Sequence, residues 1–421
     1  MIKKTLLPNG IRIVTEKMPY VRSVSMGVWV NAGARDESDA QNGLSHFIEH
    51  MIFKGTARRS AFQIAKEFDA VGGHSNAFTS METTCYHARV MDAHLGTMVN
   101  ILSDIFLNSV FDALEIERER QVIFQEIGML EDTPEEYVHL LTGANFWSGH
   151  PLGRSILGSR ENILSFDTAI IQSFFRRFYH PERIVIAVTG NVDHERIVDL
   201  VGPSFEAIRN SEIFPDRGAP QANRGIHLHQ RALEQVHVCL AAPGLAVTDP
   251  RRFTFSLLST LLGGNMSSRL FQEIREKRGL AYSVYSFVSS HVDTGMFGVY
   301  AGVNDQDVHE TVHLALQSMA QMGRNTVSSE ELRDAKEYTK GNLFLAAESV
   351  DNQMVRLAQN EINFNRYIPL KSVIDAVEAI TAEDIRELAR TLFHGNQISL
   401  TLLGPLKTVD GLDQMVGETL D

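Results

Sequence analysis

Residues 166–192 read FDTAIIQSFFRRFYHPERIVIAVTGNV, and residues 380–406 read ITAEDIRELARTLFHGNQISLTLLGPL. Each stretch is an amphipathic helix, a histidine-containing turn, an apolar strand and a glycine turn. His180 and His394 lie 214 positions apart, as do Gly190 and Gly404. Near the start of each half an alternating strand repeats at an offset of 212, Val24/Met26/Val28/Val30 and then Val236/Val238/Leu240/Ala242. Two similarities at nearly one offset predict a chain written twice. Two unrelated α+β domains are the other reading of the same pattern.

The seam is expected near 211–224, SEIFPDRGAPQANR, where Pro215, Gly218 and Pro220 interrupt any helix or strand pattern. The expected domains are therefore 1–214 and 225–421, joined by a linker at 215–224. Helical stretches at 61–71, 111–130, 252–262 and 330–344 mix with strands without a strict βαβ rhythm. The neighbouring strand patterns at 11–16 and 23–30 look like a hairpin. The expected fold is α+β: two homologous domains, each a largely antiparallel sheet packed with helices.

The 421 residues hold 39 Lys+Arg against 52 Asp+Glu, a net charge of -13, so the overall field repels polyanions and nucleic acid is not an expected partner. The two cysteines, Cys85 and Cys239, are too few and too far apart for a disulfide framework or a thiolate metal site. No run of about 18 apolar residues is present, so no membrane span is expected. The lysines near the N-terminus are followed by Pro8 and Gly10 rather than an apolar core, so no secretion signal is expected either. These features place the protein in the cytoplasm.

Residues 44–53 read LSHFIEHMIF between Gly43 and Gly55, which fits a short, mostly buried helix. His46 and His50 lie one turn apart, about 40° around the axis, so both imidazoles can address one ion. Glu49 falls about 60° to the other side of His46, within reach of a water on that ion. The pattern is H-x-x-E-H, the inverted zincin motif. A buried histidine pair with an ordinary carboxylate partner fits the same five residues. A second stretch, LEIERERQVIFQEIGMLE at 114–131, offers further carboxylates. Glu119 and Glu126 are two turns apart, beside an apolar stripe of Ile116, Ile123, Ile127 and Leu130. Glu126 in that company is costly to bury unless a cation balances it; a solvated acidic face accounts for Glu115, Glu117 and Glu131.

Together these residues resemble the pitrilysin family of zinc peptidases, on the branch of mitochondrial processing peptidase and its bacterial relatives. That family has H-x-x-E-H followed about 76 positions later by a glutamate ligand, and Glu126 stands 76 after His50. The resemblance implies one Zn²⁺ per chain held by His46, His50 and Glu126, with Glu49 as general base and Glu119 supporting the site. The implied activity is a zinc metalloendopeptidase acting on extended peptides or unfolded protein segments. A non-catalytic structural or peptide-binding subunit of the same fold is the alternative.

The segment HSNAFTSMETTCYH at 74–87 is rich in β-formers with small side chains at its start. It suits a sheet edge that pairs with an extended peptide, or an ordinary solvent-side strand. The resemblance assigns Asn76 and Ala77 to backbone-level substrate contacts. The second half has no H-x-x-E-H, but its Arg275 and Tyr282 align with an Arg…Tyr pair of the longer family members. There the pair faces zinc across a closed chamber. A helix with surface arginines followed by a core tyrosine is the plainer reading. Since those longer members hold four such units in one chain and this chain holds two, the resemblance implies a homodimer with sites completed in trans. A heterodimer with an inactive homologue is the alternative partner arrangement.

Overall fold

The computed structural model describes residues 1–209, 214 and 216–420. Residues 211–213 and 215 of the expected seam lie outside the described residues. Eleven strands form two sheets. The first holds β1 (Ile2–Leu6), β2 (Arg12–Lys17), β3 (Ser23–Val30), β4 (His74–Thr79), β5 (Thr84–Met91) and β6 (Ile184–Gly190), in the order β1-β2-β6-β3-β5-β4. The second holds β7 (Gly225–Gln230), β8 (Val236–Pro243), β9 (Ala281–Ser290), β10 (Gly295–Val303) and β11 (Ser399–Gly404), in the order β7-β11-β8-β10-β9. Leaving β1 aside, the two orders match strand for strand. Each contains one parallel pair, β2 with β6 and β7 with β11, among otherwise antiparallel neighbours. The α+β duplication expected from the repeated helix-turn-strand segments is thus present in the topology.

One expectation changes. The strands at 11–16 and 23–30 are not a hairpin, because β6 lies between β2 and β3 and pairs with both. The physical reason is burial. Every residue of β6 is buried, so its two apolar faces are satisfied only in the middle of a covered sheet.

Apolar central strands need cover on two sides. In the first sheet one face packs on helices of its own half, among them Leu44–Met51, Leu95–Asn108 and Thr168–Phe178. The other face is covered by the helix Val350–Phe364, whose Met354, Leu357 and Ala358 sit on Val14, Trp29 and Val185. Trp29 Nε1–H donates to Met354 Sδ at 3.2 Å. This approach needs Gly27, where an added Cβ would lie 2.5 Å from that sulfur. In the second sheet the same layer is supplied by Pro134–Phe146, which sets Val138 against Cys239, Tyr300 and Leu403.

The compact units therefore trade segments. One comprises Met1–Gly128, Arg154–Arg217 and Leu345–Tyr367; the other comprises Met129–Gly153, Gly218–Phe344 and Ile368–Asp421. They differ from a division at 214 and 225 by the two covering segments, each drawn from the opposite half of the sequence. Both cysteines are buried free thiols. Among the described residues no helix is long and apolar enough to cross a membrane.

Pro134–Phe146 carries one histidine, His139, and β7 and β8 carry three more, His227, His229 and His237. His139 Nε2 meets the Tyr285 hydroxyl at 2.8 Å, His237 Nδ1 the Tyr300 hydroxyl at 2.9 Å, and His229 Nε2 accepts from Asn145 at 3.2 Å. His227 Nε2 is buried without a partner. Burial lowers the pKa of all four, against a smaller opposing pull from Glu135 on His139 and His237. A histidine whose folded pKa lies below its unfolded value of about 6.5 contributes stability that is complete above that pH and is lost as pH falls below it. In metal-free protein, amide protection factors over 134–146, with the pH dependence of intrinsic exchange removed, should therefore fall between pH 7 and pH 5, and His139→Gln should reduce the effect. Protection factors that stay flat across that range would contradict the assignment.

Candidate metal centre

The helix Leu44–Met51 starts at Gly43, whose φ of 104° is the left-handed conformation that glycine adopts without strain. A Cβ there would also lie 2.9 Å from the Leu157 carbonyl oxygen. The freed N–H groups of the first turn are taken by a buried carboxylate. Gly43 N–H donates to Glu37 Oε2 at 2.8 Å and Ser45 N–H to Glu37 Oε1 at 2.6 Å, with the Asn42 amide adding a 3.2 Å bond. Burial outweighs these donors and pushes the Glu37 carboxyl up to about 7.

So anchored, the helix presents His46 and His50 side by side, with ring centroids 4.6 Å apart. Glu126 comes from the helix Ala113–Asp132. Its Oε2 lies 3.4 Å from His46 Nε2 and 3.5 Å from His50 Nε2. Among the described residues these three form the one group of His, Cys, Asp or Glu able to hold a metal, with ligand atoms all within 4.8 Å. Donors about 2.0–2.1 Å from a tetrahedral ion are about 3.3–3.5 Å apart, so the two measured separations are those of tetrahedron edges. Glu126 Oε2 is buried with no hydrogen-bond partner. An orphaned carboxylate oxygen between two imidazole edges is the donor set a small divalent cation fits.

The electrostatics agree with that reading. Burial, helped by the charge of neighbouring His50, lowers His46 to about 3, so its ring is neutral and keeps a lone pair. At His50 burial is outweighed by the Glu119 hydrogen bond and by Glu126 and Glu49, and the pKa rises. This point in the fold therefore favours positive charge. His50 Nδ1 meets Glu119 Oε2 at 3.0 Å, and Glu119 Oε1 is held by Lys54 Nζ at 2.5 Å. Although burial opposes it, donation from His50 and Lys54 keeps Glu119 below the usual carboxylate range. Glu119 thus fixes the tautomer that leaves His50 Nε2 free to bind, as outer carboxylates do behind ligating histidines. Glu49 is anchored by a different element. Its Oε2 accepts the Thr79 hydroxyl at 2.6 Å, and burial raises its pKa against that bond.

The expected substrate strand is β4, at the edge of the first sheet. The turn that ends it is closed by Ser80 N–H donating to Thr83 C=O at 2.8 Å. Antiparallel pairing alternates, so from that bond inward Phe78 and Asn76 face β5, while Ser75, Ala77 and Thr79 turn their backbone groups outward. The backbone contact expected of Asn76 is thereby used up on His87, and Ala77 carries the outward N–H. That N–H is capped by Asn76 Oδ1 at 2.8 Å. Arg275 and Tyr282 lie in the second compact unit. Arg275 donates to the Tyr282 carbonyl at 3.0 Å, and its guanidinium lies 4.7 and 4.8 Å from the Phe271 and Tyr282 ring centres.

Reading the sequence alone misses three supporting residues: Glu37, Lys54 and Thr79. Only Thr79 leaves a signal. Strand alternation puts 75, 77 and 79 on one face, but nothing in the string says that the histidine helix lies under that face.

Residues 12–160 match the family model for insulinase, peptidase family M16, and residues 165–338 match that for the peptidase M16 inactive domain. A relative from Streptomyces coelicolor, named an uncharacterized zinc protease, is 39% identical over 416 residues, covering 96% of this chain and 90% of its own. A Bacillus subtilis relative of the same description is 39% identical over 407 residues, covering 96% and 98%. The chain belongs to peptidase family M16. Crystal structures of a Helicobacter pylori protease and of a Pseudomonas fluorescens protein described as a peptidase M16 inactive domain share the M16 fold. Each has a TM-score of 0.89, at 21% and 19% identity, covering 96% and 97% of this chain and 99% and 98% of the solved chains.

The Glu37 cap can be tested directly. Glutamine has one acceptor oxygen where Glu37 uses two on backbone N–H groups, so Glu37→Gln should cost about 1–3 kcal/mol in urea unfolding with an unchanged m-value. A loss under about 0.5 kcal/mol would mean the helix start does not depend on this carboxylate.

Proposed function

We propose that this M16 chain is a zinc endopeptidase that cleaves extended peptides or unfolded protein segments. His46, His50 and Glu126 hold one zinc ion per chain and Glu49 is the general base. The observation that carries the reading is the meeting of Glu126 Oε2 with two imidazole Nε2 atoms at 3.4 and 3.5 Å, beside a second carboxylate, Glu49, that the Thr79 hydroxyl holds. The zinc proteases of Streptomyces coelicolor and Bacillus subtilis support the choice of metal.

When bound, zinc supplies Lewis acidity, polarising a peptide carbonyl and lowering the pKa of water to about 7. The chain supplies the rest. Thr79 occupies Glu49 Oε2, which leaves Oε1 to take a proton from the attacking water and return it to the leaving amine nitrogen. Lys54 and Glu119 keep His50 in its ligating tautomer. The outward groups of Ser75 and Ala77 pair with the peptide backbone, displacing the Asn76 cap from the Ala77 N–H. Such pairing reads main chain rather than side chains, which fits extended or unfolded substrates. The two buried thiols fit a reducing compartment, and we place the protein in the cytoplasm.

Purified protein should contain one zinc per chain. Glu49→Gln should keep it while cleavage falls by about a hundredfold or more, whereas His50→Ala and Glu126→Ala should lose the metal as well. Full metal with wild-type turnover in Glu49→Gln would defeat the mechanism, and a metal-replete wild type that binds peptides without cutting them would favour the binding-subunit alternative.

The proposal extends to a homodimer in which Arg275 and Tyr282 of one subunit serve the site of the other, since Tyr282 is 80% exposed and its guanidinium neighbour offers a donor fork for an oxyanion. Mixing inactive Glu49→Gln with inactive Tyr282→Phe subunits should restore one working site per mixed dimer. No recovery despite proven subunit exchange would reject the shared site, and a partner requirement for a different, metal-less chain would replace the homodimer with a heterodimer.

A further inference from the structure

Glu49 and the edge strand are joined at one residue. Thr79 is the last residue of β4, and among the described residues it is the one hydrogen-bond donor to the Glu49 carboxylate. Its hydroxyl donates to Oε2 at 2.6 Å, and its backbone N–H is one of the outward set. A weaker contact at 3.5 Å ties the same hydroxyl to the Ser45 carbonyl, one residue before His46. The outward face of β4 therefore runs from Ser75 and Ala77, whose N–H groups turn away from β5, that of Ala77 onto Asn76 Oδ1, into Thr79, whose hydroxyl is spent on the base.

We infer that Thr79 is a positioning residue through which pairing of a peptide along β4 sets the placement of Glu49, so that turnover as well as affinity depends on how far the substrate pairs. The inference rests on the peptidase reading above and goes beyond it. The physical ground is a shared lever. A strand added at Ser75 and Ala77 orders an edge whose start, His74 to Asn76, is exposed. The ordered backbone ends at the residue that fixes Glu49. Binding energy from the part of the peptide remote from the cleaved bond is then converted into orientation of the base, which raises kcat and not only 1/KM. Thr79 does this through a hydroxyl that a serine also has and an isosteric valine lacks.

The experiment compares two peptides containing the same cleaved bond. One is long enough to pair with Ser75 and Ala77; the other is truncated so that it cannot. Wild type should turn over the long peptide with a kcat on the order of tenfold above the short one. In Thr79→Val that ratio should collapse towards one. Zinc content, and the affinity of metal-free protein for the long peptide by fluorescence anisotropy, should stay at wild-type values, because the backbone edge and the ligands are untouched. Thr79→Ser should keep the ratio. A Thr79→Val variant that loses activity equally on both peptides would overturn the coupling, since Thr79 would then support Glu49 regardless of pairing. A ratio left intact with full activity would overturn it as well. Absence of zinc-dependent cleavage of either peptide by wild type would instead defeat the peptidase reading, and this inference with it.

Discussion

A buried carboxylate oxygen that faces two imidazole edges without a hydrogen-bond partner costs free energy, and the fold keeps Glu126 Oε2 in that position. Two helices must meet at a fixed spacing for this to happen. The helix Leu44–Met51 is pinned at its start by Glu37, and His50 is held from behind by Glu119 and Lys54. Ala113–Asp132 is long enough to bring Glu119 to one imidazole face and, two turns later, Glu126 to the other. The same short helix carries Glu49, and the edge strand takes hold of it through Thr79.

The sheets explain why such a short helix stays put. Its Leu44, Phe47, Ile48 and Met51 are in the apolar core of the first sheet, so rotation about its axis would expose them. That sheet is closed on its far side by a helix from the other half of the chain, with Met354 seated over Gly27 and Trp29. The reciprocal cover, Pro134–Phe146, follows the Glu119/Glu126 helix after the single residue Thr133. The helix that brings Glu126 to the site is thus followed directly in sequence by the one that seals the second sheet.

Local patterns in the chain carried a good part of this. The paired segments at 166–192 and 380–406 announced the duplication, because a helix, turn and buried strand leave a periodic apolar trace. His46, Glu49 and His50 were legible because a motif within one helix fixes its own geometry. Glu126 was placed by resemblance, since 76 intervening residues say nothing about distance in space. What stayed hidden depends on long-range packing. No local signal tells an amphipathic helix which sheet it will cover, so the exchange of 129–153 and 345–367 was not visible. The strands at 11–16 and 23–30 looked adjacent because β6, which separates them, comes more than 150 residues later. At the edge strand, the outward N–H is set by the turn at Ser80 and Thr83, which decides whether 76 or 77 faces the edge. Lys54 and Glu37 act through contacts that no spacing rule encodes.

The central claim is that two imidazoles and one carboxylate meet at a single metal. X-ray absorption at the zinc edge of purified protein tests it most directly, because it reports the ligand atoms without recourse to activity. The account predicts a first shell of nitrogen and oxygen only, about 2.0–2.1 Å from zinc, with outer-shell scattering from two imidazoles that falls to background in His50→Ala together with the metal. A sulfur neighbour at about 2.3 Å, or zinc bound without imidazole scattering, would contradict it.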